Sequence, residues 1–157
     1  MTCMQELTLS NYQKKYAKVF KQLNLEWIEK YFVVEEHDLE QLSYPEEHII
    51  NTGGDIFFAL YNGEVAGVCA LIKTGDGEFE LAKMAVSPNF RGMQIGYKLG
   101  MHTIEMARLM GAKRVWLESN RRLIPALNLY RKLGFKEIPL TFTPYARADI
   151  RMEIVFE

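Results

Sequence analysis

The sequence predicts a mixed α/β fold, a sheet with helices packed on its faces, and three observations predict it. Three apolar, β-favouring segments, Ile56–Tyr61, Glu64–Lys73 and Glu78–Val86, are separated by short turns containing Asn62-Gly63 and Gly75-Asp76-Gly77. Asn-Gly suits the positive φ angles of a tight hairpin turn, so the three read as an antiparallel meander. Before them, Tyr12–Phe32 carries Tyr16, Val19, Phe20, Leu23, Trp27 and Ile28 mostly three or four apart, the period of an amphipathic helix. After them, two further helix-like segments each stop at a glycine, Gly111 and Gly134. A length of 157 residues fits one domain with its own core, spanning 1–157.

In chain order, an opening strand precedes the first helix, whose start Ser10 or Asn11 can cap by accepting a bond from a free N–H. A short helix follows near Asp38–Leu42, before Pro45. Pro88 ends the third strand of the meander, and Gln94–Met110 forms the next helix. Arg114–Ser119 is a short strand and Pro125–Leu133 a second helix after the meander. Phe135–Leu140 and Arg151–Phe156 close the sheet, joined by a loop containing Pro144.

The bulk properties exclude several function classes. A formal net charge of −1 gives no drive toward nucleic acid or an anionic membrane. Arg121, Arg122, Arg131 and Lys132 make only a local basic patch. No apolar stretch approaches the ~20 residues of a membrane span, and the N-terminus lacks the pattern of a signal peptide, so a cytoplasmic location is expected. Of the two cysteines, Cys3 lies near the terminus and Cys69 sits in an apolar run, where it reads as a buried small hydrophobe. Neither C-x-x-C nor H-x-x-x-H occurs, so no metal is expected. His37, His48 and His102 read as core or surface residues.

Chemistry concentrates after Glu78. Phe79 and Leu81 alternate, but the next apolar pair is Met84 and Val86, so the register slips by one near Ala82–Lys83. A β-bulge there would free a backbone group from the ladder; a strand buried on both faces would give the same pattern without one. Then Val86-Ser87-Pro88-Asn89-Phe90-Arg91-Gly92-Met93-Gln94-Ile95-Gly96 takes the chain from strand to helix. Unpaired N–H groups and the dipole at such a helix start attract phosphate, Gly92 and Gly96 let a ligand approach the backbone, and Arg91 adds a forked positive charge. Gly96, Gly100, Thr103 and Ala107 form a small-residue stripe suited to close packing on the sheet. Neither a lysine-bearing P-loop nor G-x-G-x-x-G is present.

Together, V-x-P-x-x-R-G-x-x-I-G over Val86–Gly96 and A-x-x-L-Y-x-x-x-G-F over Ala126–Phe135 resemble the GNAT N-acetyltransferase superfamily. The resemblance implies a mostly antiparallel central sheet splayed between two parallel strands, and acetyl-CoA as cosubstrate. It places the pyrophosphate on Arg91, Gly92, Met93, Gln94, Ile95 and Gly96. The pantetheine arm then runs along Met84, Ala85 and Val86, with Asn120, Ala126 and Tyr130 close by. Gln94 stands where the family usually has glycine, and Leu123 where an asparagine is often found.

The implied reaction is aminolysis of a thioester by a primary amine of a small molecule or peptide. An amine of pKa near ~10 must lose a proton to attack, and Glu80, then Glu118, are the candidate bases. The Met84 N–H can donate to the developing oxyanion, and Tyr130 can protonate the leaving thiolate. Glu35, Glu36, Asp38 and Glu40 either form an acidic rim for a cationic acceptor or are a solvated charge run. Tyr145 and Arg147 lie on a loop facing the same region, where Arg147 would suit a carboxylate. A non-catalytic acyl-CoA sensor, or an interaction module on the same fold, is the alternative reading. Monomer and homodimer are both compatible with the sequence.

Overall fold

The computed structural model describes residues 7–157; Cys3 lies outside them. Strands β1 (Leu7–Ser10), β2 (Asp55–Tyr61), β3 (Glu64–Gly75) and β4 (Glu78–Val86) pair antiparallel in succession. Asn62 and Gly63 turn the chain between β2 and β3 with φ of 51° and 81°, as the Asn-Gly pair predicts. Strand β5 (Arg114–Ser119) lies parallel to β4. The last two strands, β6 (Lys136–Ile138) and β7 (Ile150–Val155), complete a mostly antiparallel sheet of order β1-β2-β3-β4-β5-β7-β6.

Helices cover both faces. Along β2, Ile56 and Phe58 point to one face and Phe57 and Ala59 to the other, and all four are fully buried. The first face packs under α1 (Ala17–Tyr31) and α2 (Glu36–Ser43), with Phe20, Ile28 and Leu42 in that cluster. On the second lie α3 (Ile95–Leu109) and α4 (Ile124–Leu133), contributing Leu99, Ala107, Leu127 and Leu133. This two-sided burial explains why the central strands read as nearly continuous apolar runs.

Three local expectations are corrected. Neither Ser10 nor Asn11 caps α1: Ser10 is paired in β1, and the Asn11 side chain donates to Asp55 Oδ2 at 2.9 Å. The helix instead opens through a 3₁₀ turn, Lys14–Tyr16, with no side-chain cap. The strand expected at Phe135–Leu140 is cut to Lys136–Ile138, since Pro139 has no N–H to offer a ladder. The glycines of the α3 stripe face α4 rather than the sheet. A Cβ on Gly100 would lie 2.6 Å from Leu133 Cδ1, and one on Gly96 would lie 3.2 Å from Leu129 Cδ2. Thr103 and Ala107 are fully buried, Ala107 within the core cluster on this face.

Candidate active site

Strand β4 builds the site through one extra residue. Val68 faces Ala85 and Ala70 faces Ala82, so Cys69 alone opposes both Lys83 and Met84. Lys83 adopts φ of 51°, a left-handed conformation that non-glycine residues rarely take. The bulge turns the side-chain register over: Phe79 and Leu81 face the α3/α4 core before it, Met84 and Val86 after it. This is the slip read from the sequence. Lys83 and Met84 are left with no ladder partner on either neighbouring strand.

The strand also parts from its other neighbour. The parallel ladder between β4 and β5 runs Glu78–Arg114, Phe79–Val115 and Glu80–Trp116, and then stops. Beyond it the strands diverge around a cleft of about 750 Å³, lined by Asn24, Trp27, Glu80, Lys83, Met84, Glu118, Asn120, Leu123, Tyr130, Tyr145 and Arg147 among others. A second compartment of about 1030 Å³ adjoins it, lined in part by Val86, Arg91, Gly96 and Ala126. Trp27, Met84 and Tyr130 line both, so they mark where the two meet.

The outer compartment ends at the start of α3. Among the described residues, the N–H groups of Arg91, Gly92, Met93, Gln94, Ile95 and Gly96 have no backbone partner, while Lys98 makes the first helical bond, to Gln94 O. Gly92 has φ of 79° and nothing within 4 Å of where a Cβ would stand. Gln94 has φ of 57°, which explains the glycine usual in sequences of this pattern. Arg91 is exposed and has no ion-pair partner among the described residues. Ile95, 2% exposed, packs against Gly67, and Met93 leans on the same core, so these two offer the cleft only their amides. Gly96 lines the outer compartment and also makes room for Leu129 of α4, whose Cδ2 would lie 3.2 Å from an added Cβ. A row of unpaired amides at a helix start, beside an unpaired arginine and an open glycine, fits a diphosphate.

The two candidate bases differ in their surroundings. Glu80 makes no hydrogen bond or ion pair among the described residues, and burial pushes its carboxyl up to about 7, with Lys83 opposing and the Glu118 charge reinforcing. Glu118 is held fast instead: Arg151 Nη2 donates to Oε1 at 2.6 Å, and the Thr143 hydroxyl donates to Oε2. The Tyr130 hydroxyl has no partner among the described residues, and burial raises its pKa, with Cys69 adding. Cys69 is fully buried, as expected, and its thiol is pushed up to about 12 by burial. Asn120 is already bonded at both ends of its amide. Its Nδ2 donates to Arg147 O at 2.7 Å, and its Oδ1 accepts from the Arg122 backbone at 2.9 Å.

The acidic segment divides: Glu36 and Glu40 are exposed, whereas Asp38 and Glu35 are engaged within the protein. Asp38 is fully buried and takes a two-pronged bond from Arg147, at 2.7 and 2.8 Å, and another from Lys83 Nζ at 2.7 Å. Burial alone would raise its carboxyl, but these donors, with the Glu35 N–H, hold it at about 2. Glu35 accepts from Arg147 Nη1 and from the Ala146 N–H. Lys83 also donates to the Tyr145 hydroxyl, at 2.9 Å. Burial lowers the Lys83 pKa against the opposing pull of Asp38. The cluster ties α2 and the loop after β6 to the bulge. Lys83 is its hinge, and its signal in the sequence was a lysine at the register slip of β4, within the apolar stretch that follows Glu80.

The histidines stand apart from the unpaired groups: His102 packs edge-on against Phe57, and His37 lies between Glu40 and the Tyr145 ring. Among the described residues, no group of three or more His, Cys, Asp or Glu is arranged to hold a metal ion, and no helix is long and apolar enough to cross a membrane.

Comparison with known proteins agrees with this geometry. Residues 20–135 match the family model described as Acetyltransferase (GNAT) family. The uncharacterized N-acetyltransferase YjgM of Escherichia coli K12 is 31% identical over 158 residues, covering 95% of this chain and 92% of that protein. A GNAT acetyltransferase from Staphylococcus aureus Mu50 superposes with a TM-score of 0.86 at 21% identity, covering 97% and 100% of the two chains. The yncA acetyltransferase of Salmonella typhimurium, solved with acetyl-CoA, superposes at 0.75 with 17% identity, covering 96% and 94%. The two solved structures share the fold, and the family match covers most of the chain: this protein belongs to the GNAT acetyltransferase family and is an acyl-CoA-dependent acetyltransferase.

Proposed function

We propose that the chain, as one N-acetyltransferase domain, transfers an acetyl group from acetyl-CoA to a primary amine of a small molecule or peptide. One observation carries the proposal. A continuous cleft runs from the unpaired amides of Arg91–Gly96, past Met84 and Tyr130, to the unpaired carboxyl of Glu80. A pyrophosphate bound at the first end puts an extended arm along Met84–Val86 and its thioester between β4 and β5. Ala126 of α4 borders the arm. The thioester supplies an activated acetyl group; the protein supplies position and proton transfers.

Glu80 takes the proton of the bound ammonium. A carboxyl near pH 7 is well matched to that role, because a substantial fraction is ionised at neutral pH and its conjugate acid is weak. Glu118, already committed to Arg151 and Thr143, holds the loop in place instead. The Met84 N–H, outside the ladder at the bulge, donates to the charge that develops on the thioester oxygen; such donors contribute about 3 kcal/mol. Tyr130 stays protonated at neutral pH and gives its proton to the leaving sulfur. Asn120, bonded within the protein, positions Arg147 rather than the arm.

At the acceptor end the charges of Asp38 and Glu35 are matched by Lys83 and Arg147, which leaves Glu80 as the carboxyl facing the cleft without a partner among the described residues. That balance favours acceptors recognised by a single amine over polycations. The test is thiol release from acetyl-CoA against a panel of small amines and peptide N-termini, with calorimetry of CoA binding alongside. Turnover with single-amine acceptors and saturable CoA binding are expected. CoA binding without thiol release from any amine would replace the enzymatic reading with that of a sensor.

A further inference from the structure

The acceptor end of the cleft holds a polar group that neither the ion cluster nor the proton transfers use. Asn24 lies on α1 between Phe20 and Ile28, one turn from each, on the apolar face beneath which the sheet packs, and it is 1% exposed. Its Nδ2 donates to Phe20 O at 3.0 Å. A carbonyl can only accept, so the amide cannot be reversed: nitrogen faces Phe20 and Oδ1 faces the other way. Asn24 lines the inner compartment together with Glu80, Lys83 and Ile28. Oδ1 has no partner among the described residues. Oδ1 is not among the fully enclosed side-chain atoms that lack a partner in the described residues, so it keeps some exposure, and the compartment that Asn24 lines is the space it can open onto. An acceptor oxygen on an otherwise apolar helix face is costly to leave without a donor, and the cleft is where a donor can reach it.

Resting on the acetyl-transfer reading, we infer that Asn24 Oδ1 recognises the acceptor nitrogen, accepting one N–H of the amine while Glu80 takes another. The arrangement sets specificity by hydrogen count. An amine can satisfy both groups. A hydroxyl has one hydrogen, which Glu80 takes, and its lone pairs then face Oδ1 with nothing to share. The site therefore prefers nitrogen acceptors to alcohols without any steric difference between them.

The test titrates butylammonium, and butanol in parallel, into the protein–CoA complex while following the side-chain amide resonances of Asn24. Those resonances are identified by their absence in Asn24→Leu. A saturable shift with butylammonium and none with butanol are expected. Asn24→Leu should weaken butylammonium binding about tenfold, the size of one hydrogen bond from a charged donor, with CoA affinity within about twofold. The substitution strands no backbone group, so its melting temperature should not fall. Two results overturn the inference alone: no saturable shift while CoA binds normally, or an equal response to butanol. An equal loss of CoA affinity in the variant also overturns it, by assigning Oδ1 to an amide N–H of the cosubstrate arm. Failure of the wild-type protein to bind CoA removes the functional reading itself.

Discussion

Glu80 and Trp116 are the last residues at which β4 and β5 face each other; one step further along, the strands part and the cleft begins. Glu80 thus stands at the fork, held by Ile72 of β3 on one side and Trp116 of β5 on the other, with the gap toward β5 opening just beyond it.

Its replacement by glutamine separates chemistry from stability. Glu80→Gln should lower kcat/KM at least about a hundredfold, the low end for loss of a general base, and remove the ionisation near pH 7 from the rate profile. Stability should move the other way. The folded-state carboxyl titrates at about 7 against 4.5 for the ordinary group, so folding holds a proton that the unfolded chain releases. That contribution is full below the unfolded value and is lost as pH rises through about 7. The variant should therefore melt with the wild type at low pH and above it at pH 8. Thermal melts across that range check this, and a constant difference at all pH values would contradict it.

Tyr130→Phe removes a hydroxyl that no described residue bonds, so stability and CoA affinity should change little. If the hydroxyl protonates the leaving sulfur, kcat should fall by about a hundredfold or more. An unchanged kcat would take Tyr130 out of the acid role and leave it a packing residue against Phe135, whose ring centroid lies 6.1 Å away.

Asp38→Ala should be among the most damaging substitutions in the chain. It leaves Lys83 and Arg147 with 5% and 17% of their side chains exposed and without their shared anion. Removing one partner of such a cluster costs about 3–5 kcal/mol. Chemical denaturation measures the loss, and a change below about 1 kcal/mol would show that the cluster is solvated in solution. Replacing Lys83 by methionine as well should recover part of it.

Gly92→Ala tests the amide cradle. At φ of 79° the added Cβ meets no protein atom, so the penalty is backbone strain alone, about 1 kcal/mol. If the amides around it hold a diphosphate, CoA affinity by calorimetry should fall about tenfold or more, well beyond the change in stability.

Much of this protein was written in local sequence. Asn62-Gly63 set the hairpin, Gly111 and Gly134 ended their helices with φ of 89° and 108°, and the slip from Leu81 to Met84 marked where the strand changes register, though pairing with β3 was needed to tell a bulge from a strand buried on both faces. Each signal follows from the backbone preferences or side-chain alternation of a few adjacent residues, so no distant partner was needed to notice it. The choice between Glu80 and Glu118 was not legible, because it depends on Arg151 and Thr143, residues far along the chain that occupy one carboxylate and leave the other bare. The acidic segment at the start of α2 was likewise ambiguous until folding brought Lys83 and Arg147, 45 and 109 residues away from Asp38, onto one carboxylate. Charge in a sequence states only what must be solvated or paired; which partner arrives is decided by the packing of elements, and here that packing paired Glu35 and Asp38 while leaving Glu36 and Glu40 exposed.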